Sequence, residues 1–198
     1  SNLFYMPHSV ASDHLGNLWV SDVARHQVMR LPATNIRAIK SRVKANATEP
    51  DGQHQIWPDI ILGEAFVPGS DSAHFCQPSE IAVSSDGRLV FVADGYCNQR
   101  VMVFSGLTGK FLRSFGHSEH IEVVHSVTLM EERNLLCVAD REGARILCYN
   151  AGLDGDLSRL GELVNRVNHP LGRVFAITNI SPDSLLVSSK QFDTNRYD

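Results

Sequence analysis

The feature that most constrains this chain is a β unit that it repeats with variations. Its clearest copy runs from Phe75 to Phe104, FCQPSEIAVSSDGRLVFVADGYCNQRVMVF. A short apolar segment, Ile81-Ala82-Val83, leads to a polar turn at Ser84 to Gly87. The apolar strand Leu89 to Ala93 ends in Asp94-Gly95, and a further strand follows from Arg100 to Phe104. Phe4 to Leu31 has the same layout, as does Ile121 to Tyr149, and a weaker copy begins near Gly172 with Val174 to Ile177 and a Ser181-Pro182-Asp183 turn. Short strands separated by turn signals every 8–12 residues or so indicate an all-β fold. Repetition at blade size favours a β-propeller over a sandwich. Three or four blades rarely close a ring, so the chain is expected to be part of a larger propeller, about four blades of it. It begins and ends inside patterned sequence, which suggests a piece of something longer. One partial propeller domain is expected over residues 1–198.

Two departures from the repeat stand out. Residues 32–59, polar and partly basic (Arg37, Lys40, Arg42, Lys44), read as an exposed insertion loop with a solvated charge set. Helical periodicity appears around Leu157 to Val167 and is short.

Charge and composition exclude some functions. A net charge of −4 gives no field for a polyanion, so no nucleic-acid partner is expected. No run approaches the roughly 18 apolar residues of a membrane span, and residues 1–5 lack the pattern of a signal peptide. Of the four cysteines, Cys137 and Cys148 would oppose each other across a hairpin centred on Glu142-Gly143, within disulfide reach. The other reading is two buried thiols. Two bridges would imply an oxidising compartment. The Asn46-Ala47-Thr48 sequon agrees with a glycosylated, secreted protein.

Aligning the copies on their strand-ending aspartates, Asp22, Asp94 and Asp140, places His8, Ser79 and His125 at one position. Equivalent positions of different blades lie at similar depth around a propeller axis. Both imidazoles could therefore face the central channel as metal ligands, although a catalytic zinc takes three protein ligands and an open position. The alternative is two polar residues capping inner strands. His117 and His120 fall in a connecting loop, and His26, His54 and His74 have no partner at metal spacing. Taken alone, Tyr96 reads as a packing residue beside Cys97, and Arg141 as a turn residue pairing with Asp140.

Several elements occur in one order: Met6-Pro7-His8-Ser9, His26-Gln27-Val28, Pro68 to Asp71, Phe75 to Pro78, Asp94 to Arg100 and Cys137 to Glu142. Together they resemble the peptidyl-α-hydroxyglycine α-amidating lyases, the lyase domain of peptidylglycine α-amidating monooxygenases. The resemblance covers nearly the whole chain apart from residues 32–57. It implies an NHL-type propeller, six-bladed when whole, with zinc on the axis and a structural calcium. The implied reaction cleaves a peptidyl-α-hydroxyglycine into an amidated peptide and glyoxylate. By the same resemblance His8 and His125 are two of three zinc histidines, Tyr96 is the catalytic base, and Arg141 serves the tyrosine or the substrate carboxylate. Val10 falls where a backbone carbonyl reaches the calcium. The cysteines match two bridges, Cys76–Cys97 and Cys137–Cys148. The family's third histidine, from a Met-Pro-His-Asp element, has no counterpart here, and His169 does not match it. A lumenal or extracellular location in the secretory pathway and an attached monooxygenase domain are further implications. Against this stand a non-catalytic NHL scaffold that binds a protein partner and a calcium-dependent propeller lactonase. The scaffold leaves the placement of Tyr96 and the histidines unexplained; the lactonase calls for acidic and amide ligands in the channel.

Overall fold

The computed structural model describes residues 3–44, 57–168, 170 and 172–190. Four antiparallel sheets follow one another along the chain. The first blade contains β1 (Pro7–Ser12), β2 (Leu18–Asp22), β3 (Gln27–Leu31) and β4 (Ile60–Leu62). The second contains β5 (Glu80–Val83), β6 (Leu89–Asp94), β7 (Arg100–Ser105) and β8 (Phe111–Phe115). β9 (Val124–Met130), β10 (Leu135–Asp140), β11 (Arg145–Asn150) and β12 (Leu163–Asn168) form the third, and β13 (Arg173–Ser181) pairs with β14 (Ser184–Lys190) in the fourth. Within each sheet consecutive strands are neighbours. Between sheets the first strands pack side by side, β1 on β5, β5 on β9 and β9 on β13. This is the propeller arrangement, with the first strand of every blade innermost.

The apolar runs explain why blades stack. Every residue of Leu89–Asp94 is buried, because β6 is covered on both faces by neighbouring blades. One core lies between the first two blades, around Trp19, Val28, Phe75, Val92 and Phe104. The next, between the second and third, gathers Phe91, Val103, Leu136, Val138 and Tyr149. A third joins the last two blades through Ile146, Val174 and Ile177, with Cys137 and Cys148 inside it. Truncating a fully buried aromatic such as Trp19 would cost about 3–5 kcal/mol.

The aligned aspartates serve the blade corners. Asp22 accepts the N–H groups of Tyr5 and Met6, Asp94 that of Cys76, and Asp140 those of Glu122 and Val123. Each thus ties the segment entering its blade to the end of the second strand. Arg100 and Arg145 complete the last two corners, with Nε 2.9 Å from Asp94 and 2.7 Å from Asp140.

Both expected bridges form. Cys76–Cys97 has a Cα separation of 5.5 Å, and Cys137 faces Cys148 in the β10–β11 register at 4.0 Å. Two expectations need correction. The insertion begins as a helix, α1 (Ala33–Lys44), where a loop was expected. Its first turn is tied down by the side-chain oxygen of Asn17, which accepts the N–H of Ala33. The helical periodicity after Leu157 is turn followed by the outer strand β12, whose exposed residues mimic a helical face only because little of β12 is buried. Asn46, His54 and His169 lie outside the described residues.

Candidate functional site

The site is built from one histidine on each of two inner strands and a tyrosine from the blade between them. His8 is the second residue of β1 and His125 the second of β9. Tyr96 stands just beyond β6, between Gly95 and the bridged Cys97. The three rings form a nearly equilateral triangle, with centroids 5.6 Å (His8–Tyr96), 5.7 Å (Tyr96–His125) and 5.8 Å (His8–His125) apart. The phenolic oxygen is 3.1 Å from His8 Nε2 and 3.1 Å from His125 Nε2.

The outward nitrogens are fixed by the blades themselves. His8 Nδ1 lies 2.7 Å from the carbonyl oxygen of Ser79, and His125 Nδ1 lies 2.7 Å from that of Phe175. A carbonyl only accepts, so Nδ1 carries the hydrogen on both rings. In a neutral imidazole Nε2 is then a bare acceptor. Burial, together with the nearby Arg141 and His8 charges, holds His125 below the ordinary histidine pKa, although its bond to Phe175 works the other way. Tyr96 has one proton and can satisfy one Nε2. The other Nε2 and a phenolic lone pair then face each other. Two imidazole Nε2 atoms aimed at one point, each ring oriented by a carbonyl behind it, are a donor pair suited to a cation. Among the described residues, no group of three His, Cys, Asp or Glu side chains completes it.

Arg141 follows Asp140 at the next blade's matching turn. Its guanidinium lies 5.6 Å from the ring centroid of Tyr96 and 5.6 Å from that of Phe175. Its Nε donates to Glu142 at 2.8 Å, and Glu142 also takes Arg173 at 2.6 Å. The cation therefore sits against the tyrosine ring, with a carboxylate holding its stem. Val10 lies on β1 opposite Val20, 65% exposed.

Three of the other described histidines have local duties. His74 pairs with Asp71 at 2.8 Å, His26 Nδ1 accepts the N–H of Gln77, and the carbonyl of His120 takes Arg145. Residues not singled out from the sequence also matter. Ser79 gives His8 its carbonyl, and Phe175 does the same for His125; the alignment of Ser79 with the two histidines was the available signal. Gly95 has no side chain because the carbonyl of Val124 occupies that place.

Comparison with known proteins follows this geometry. The NHL repeat family matches residues 4–30 and 75–104. The chain is 38% identical to peptidyl-alpha-hydroxyglycine alpha-amidating lyase 2 of Drosophila melanogaster, over 90% of this chain and 39% of that protein. It is 37% identical to a probable lyase of the same name from Caenorhabditis elegans, over 89% of this chain and 46% of that protein. It is 38% identical to the peptidyl-glycine alpha-amidating monooxygenase of Mus musculus, over 96% of this chain but 18% of that protein. The chain thus spans less than half the length of these relatives. Among solved structures, a hydrazine synthase of Kuenenia stuttgartiensis superimposes with a TM-score of 0.67 at 14% identity, covering 98% of this chain and 46% of that one. The WD40 repeats of RRP9 give 0.63 at 11% identity, over 93% and 45%. At such identities the likeness concerns the fold alone.

Proposed function

We propose that this chain, which belongs with the NHL-repeat peptidyl-α-hydroxyglycine α-amidating lyases, forms the catalytic arc of such an enzyme. The observation that carries the reading is the convergence of His8 Nε2 and His125 Nε2 on the Tyr96 oxygen, at 3.1 Å each. The substrate is a peptide ending in α-hydroxyglycine. Its products are the amidated peptide and glyoxylate.

In this reading Tyr96, as phenolate, takes the proton of the substrate's α-hydroxyl. The electron pair left by the broken O–H bond forms the second C–O bond of the glyoxylate carbonyl, and the C–N bond breaks with its electrons on nitrogen. The amide nitrogen recovers a proton, so the reaction balances without an oxidant. Phenol has an ordinary pKa near 10, and a base works best when its pKa approaches the working pH. Arg141 lies against the Tyr96 ring, where its guanidinium suits the substrate carboxylate by bidentate pairing. His8 and His125 are the residues that would hold zinc, with their neutral Nε2 lone pairs directed inward. When bound, zinc would acidify the substrate hydroxyl. Calcium at the Val10 carbonyl is proposed from the resemblance alone.

The two bridges support a place in the oxidising secretory pathway. No helix among the described residues is long and apolar enough to cross a membrane. A monooxygenase domain in the same polypeptide is proposed from the relatives that bear that name.

The test uses the full protein that carries this chain. It is incubated with a peptidyl-α-hydroxyglycine, glyoxylate and amidated peptide are quantified, and bound zinc is measured by mass spectrometry. Equimolar products with bound zinc are expected. A zinc-free protein with undiminished turnover overturns the metal assignment, and absence of both products overturns the lyase reading.

A further inference from the structure

An aromatic pair beside the first blade is used neither by the core nor by the reaction just described. Tyr5 and Phe66 meet edge to face, with centroids 5.6 Å apart and planes at 89°. They are 68% and 54% exposed, and Met6 and Val67 extend the apolar surface. Arg25 places its guanidinium 5.1 Å from the Phe66 centroid.

The backbone at Phe66 is unusual. Its φ is +63°, a left-handed conformation that bulky side chains rarely adopt. The conformation is held by two hydrogen bonds, Phe66 N–H to the Arg25 carbonyl at 2.9 Å and Val67 N–H to the Glu64 carbonyl at 3.2 Å. A ring that is more than half exposed gains little from core burial to offset such strain. Strained conformations of this kind gather at ligand clamps and active sites.

The pair is also continuous with the candidate site. The carboxylate of Asp22 holds the N–H groups of Tyr5 and Met6, and the chain enters β1 through Pro7 to reach His8. Tyr5 precedes His8 by three residues, with a bend at Tyr5-Met6, so the chain between them spans at most about 10 Å. A peptide whose reacting end lies at Tyr96 must leave across an adjoining surface, and three of its own extended residues cover the same distance.

We propose that Tyr5, Phe66 and Arg25 form a subsite for a large apolar or aromatic side chain of the peptide substrate, two or three residues ahead of its hydroxyglycine end. This rests on the lyase reading, since that reading supplies the occupant. The subsite selects by stacking and apolar contact on the rings, and the guanidinium adds a cation face for an aromatic partner. It contributes to binding and leaves the chemical step alone.

The experiment separates binding from chemistry. Fluorescein-labelled pentapeptides ending in unreacted glycine, with Phe or Ala at the third position from the C-terminus, are titrated against the full protein by anisotropy. The Phe peptide is expected to bind about fivefold to tenfold more tightly, the gain typical of an aromatic pair. Phe66→Gly removes the ring while suiting the left-handed backbone, and Tyr5→Ala removes its partner. Both should erase the preference, and Phe66→Tyr should keep it. Thermal unfolding of Phe66→Gly close to that of the parent is expected, because the ring does not support the core. Equal binding of both peptides to the parent, or a preference that survives Phe66→Gly, overturns the subsite. Glyoxylate release is measured separately on hydroxyglycine versions of the same peptides. A parent that turns over both with equal KM also overturns the subsite while leaving the lyase reading standing. A parent that releases no glyoxylate removes the lyase reading, and the anisotropy preference still decides whether the rings bind peptide.

Discussion

Gly95 lies directly against the backbone of Val124. A Cβ built on Gly95 would stand 1.7 Å from the Val124 carbonyl oxygen, a distance no side chain can occupy. Val124 opens the inner strand that carries His125, and Gly95 immediately precedes Tyr96. One close approach between blades therefore sets the tyrosine relative to the histidine.

Gly95→Ala should accordingly cost about 1–3 kcal/mol, the usual range for overpacking a filled site. It should also displace Tyr96, so glyoxylate release is expected to fall further than stability does. Urea unfolding alongside an activity assay checks both. A variant with parental midpoint and rate would show that the backbone at this corner yields freely.

The first three blades were legible in the sequence because their second strands are almost wholly buried and carry apolar runs, as in Leu89–Ala93, whereas β14 of the fourth alternates between exposed and half-buried residues and gave the weaker copy. The Cys137–Cys148 pairing was legible for a related reason: a hairpin centred on Glu142-Gly143 fixes its register. Outer strands gave weaker signals. β12 is mostly exposed, so its sequence is not constrained to alternate, and it passed for a short helix. Helix α1 was missed because the basic residues Arg37, Lys40, Arg42 and Lys44 were read as a solvated loop although Ile36, Ile39 and Val43 between them recur at helical spacing, and because its first turn depends on Asn17, sixteen positions away. For the site, repeat alignment placed His8 and His125 together. It could not show the carbonyls of Ser79 and Phe175 that orient them, since every residue has a carbonyl. Repeat alignment put Arg141 at the turn matching that of Tyr96, and its guanidinium lies against that ring, tethered by Glu142.

The disulfides should contribute unequally. Cys76–Cys97 closes a separation of 21 residues and Cys137–Cys148 one of 11, so loop entropy favours the first. Each is expected to stabilise by about 2–4 kcal/mol, with the hairpin bridge at the lower end. The second bridge also fills the core between the third and fourth blades, so a double Cys→Ser change there introduces polar groups as well. Double Cys→Ala variants of each pair, compared by urea denaturation, should rank the bridge at residues 76 and 97 above the other.

Glu80 predicts a pH effect of opposite sign to an ordinary salt-bridged acid. Burial pushes its carboxyl above the usual 4.5, and its bonds to Ser126 and the Val127 N–H and the charge of His8 offset this only in part. The folded protein therefore holds this proton to higher pH than the unfolded chain does. The contribution is fully present below pH 4.5 and is lost as pH rises through the folded value. Glu80→Gln keeps an acceptor for the Val127 N–H, 2.7 Å away in the parent, without the charge. The variant should melt above the parent at neutral pH, and the gap should close on acidification toward pH 4.5. A gap that widens on acidification would mean that Glu80 is stabilised as a carboxylate.

Tyr96→Phe is the most direct trial of the site. The ring keeps its place beside the bridged Cys97 and its edge contacts with both imidazoles at centroid distances of 5.6 and 5.7 Å, so folding should be unaffected. What disappears is the oxygen that both Nε2 atoms approach at 3.1 Å. A general base contributes about 10²- to 10⁴-fold to rate, and the full protein should lose activity on that scale. The loss should appear in kcat, since the hydroxyl is assigned to proton transfer, and zinc content should stay close to the parent's because the two imidazoles remain. Measuring glyoxylate release, bound zinc and thermal midpoint on one preparation separates the outcomes. Parental kcat in a folded, metal-loaded Phe variant would return Tyr96 to the role of a packing residue and leave the two histidines without their base.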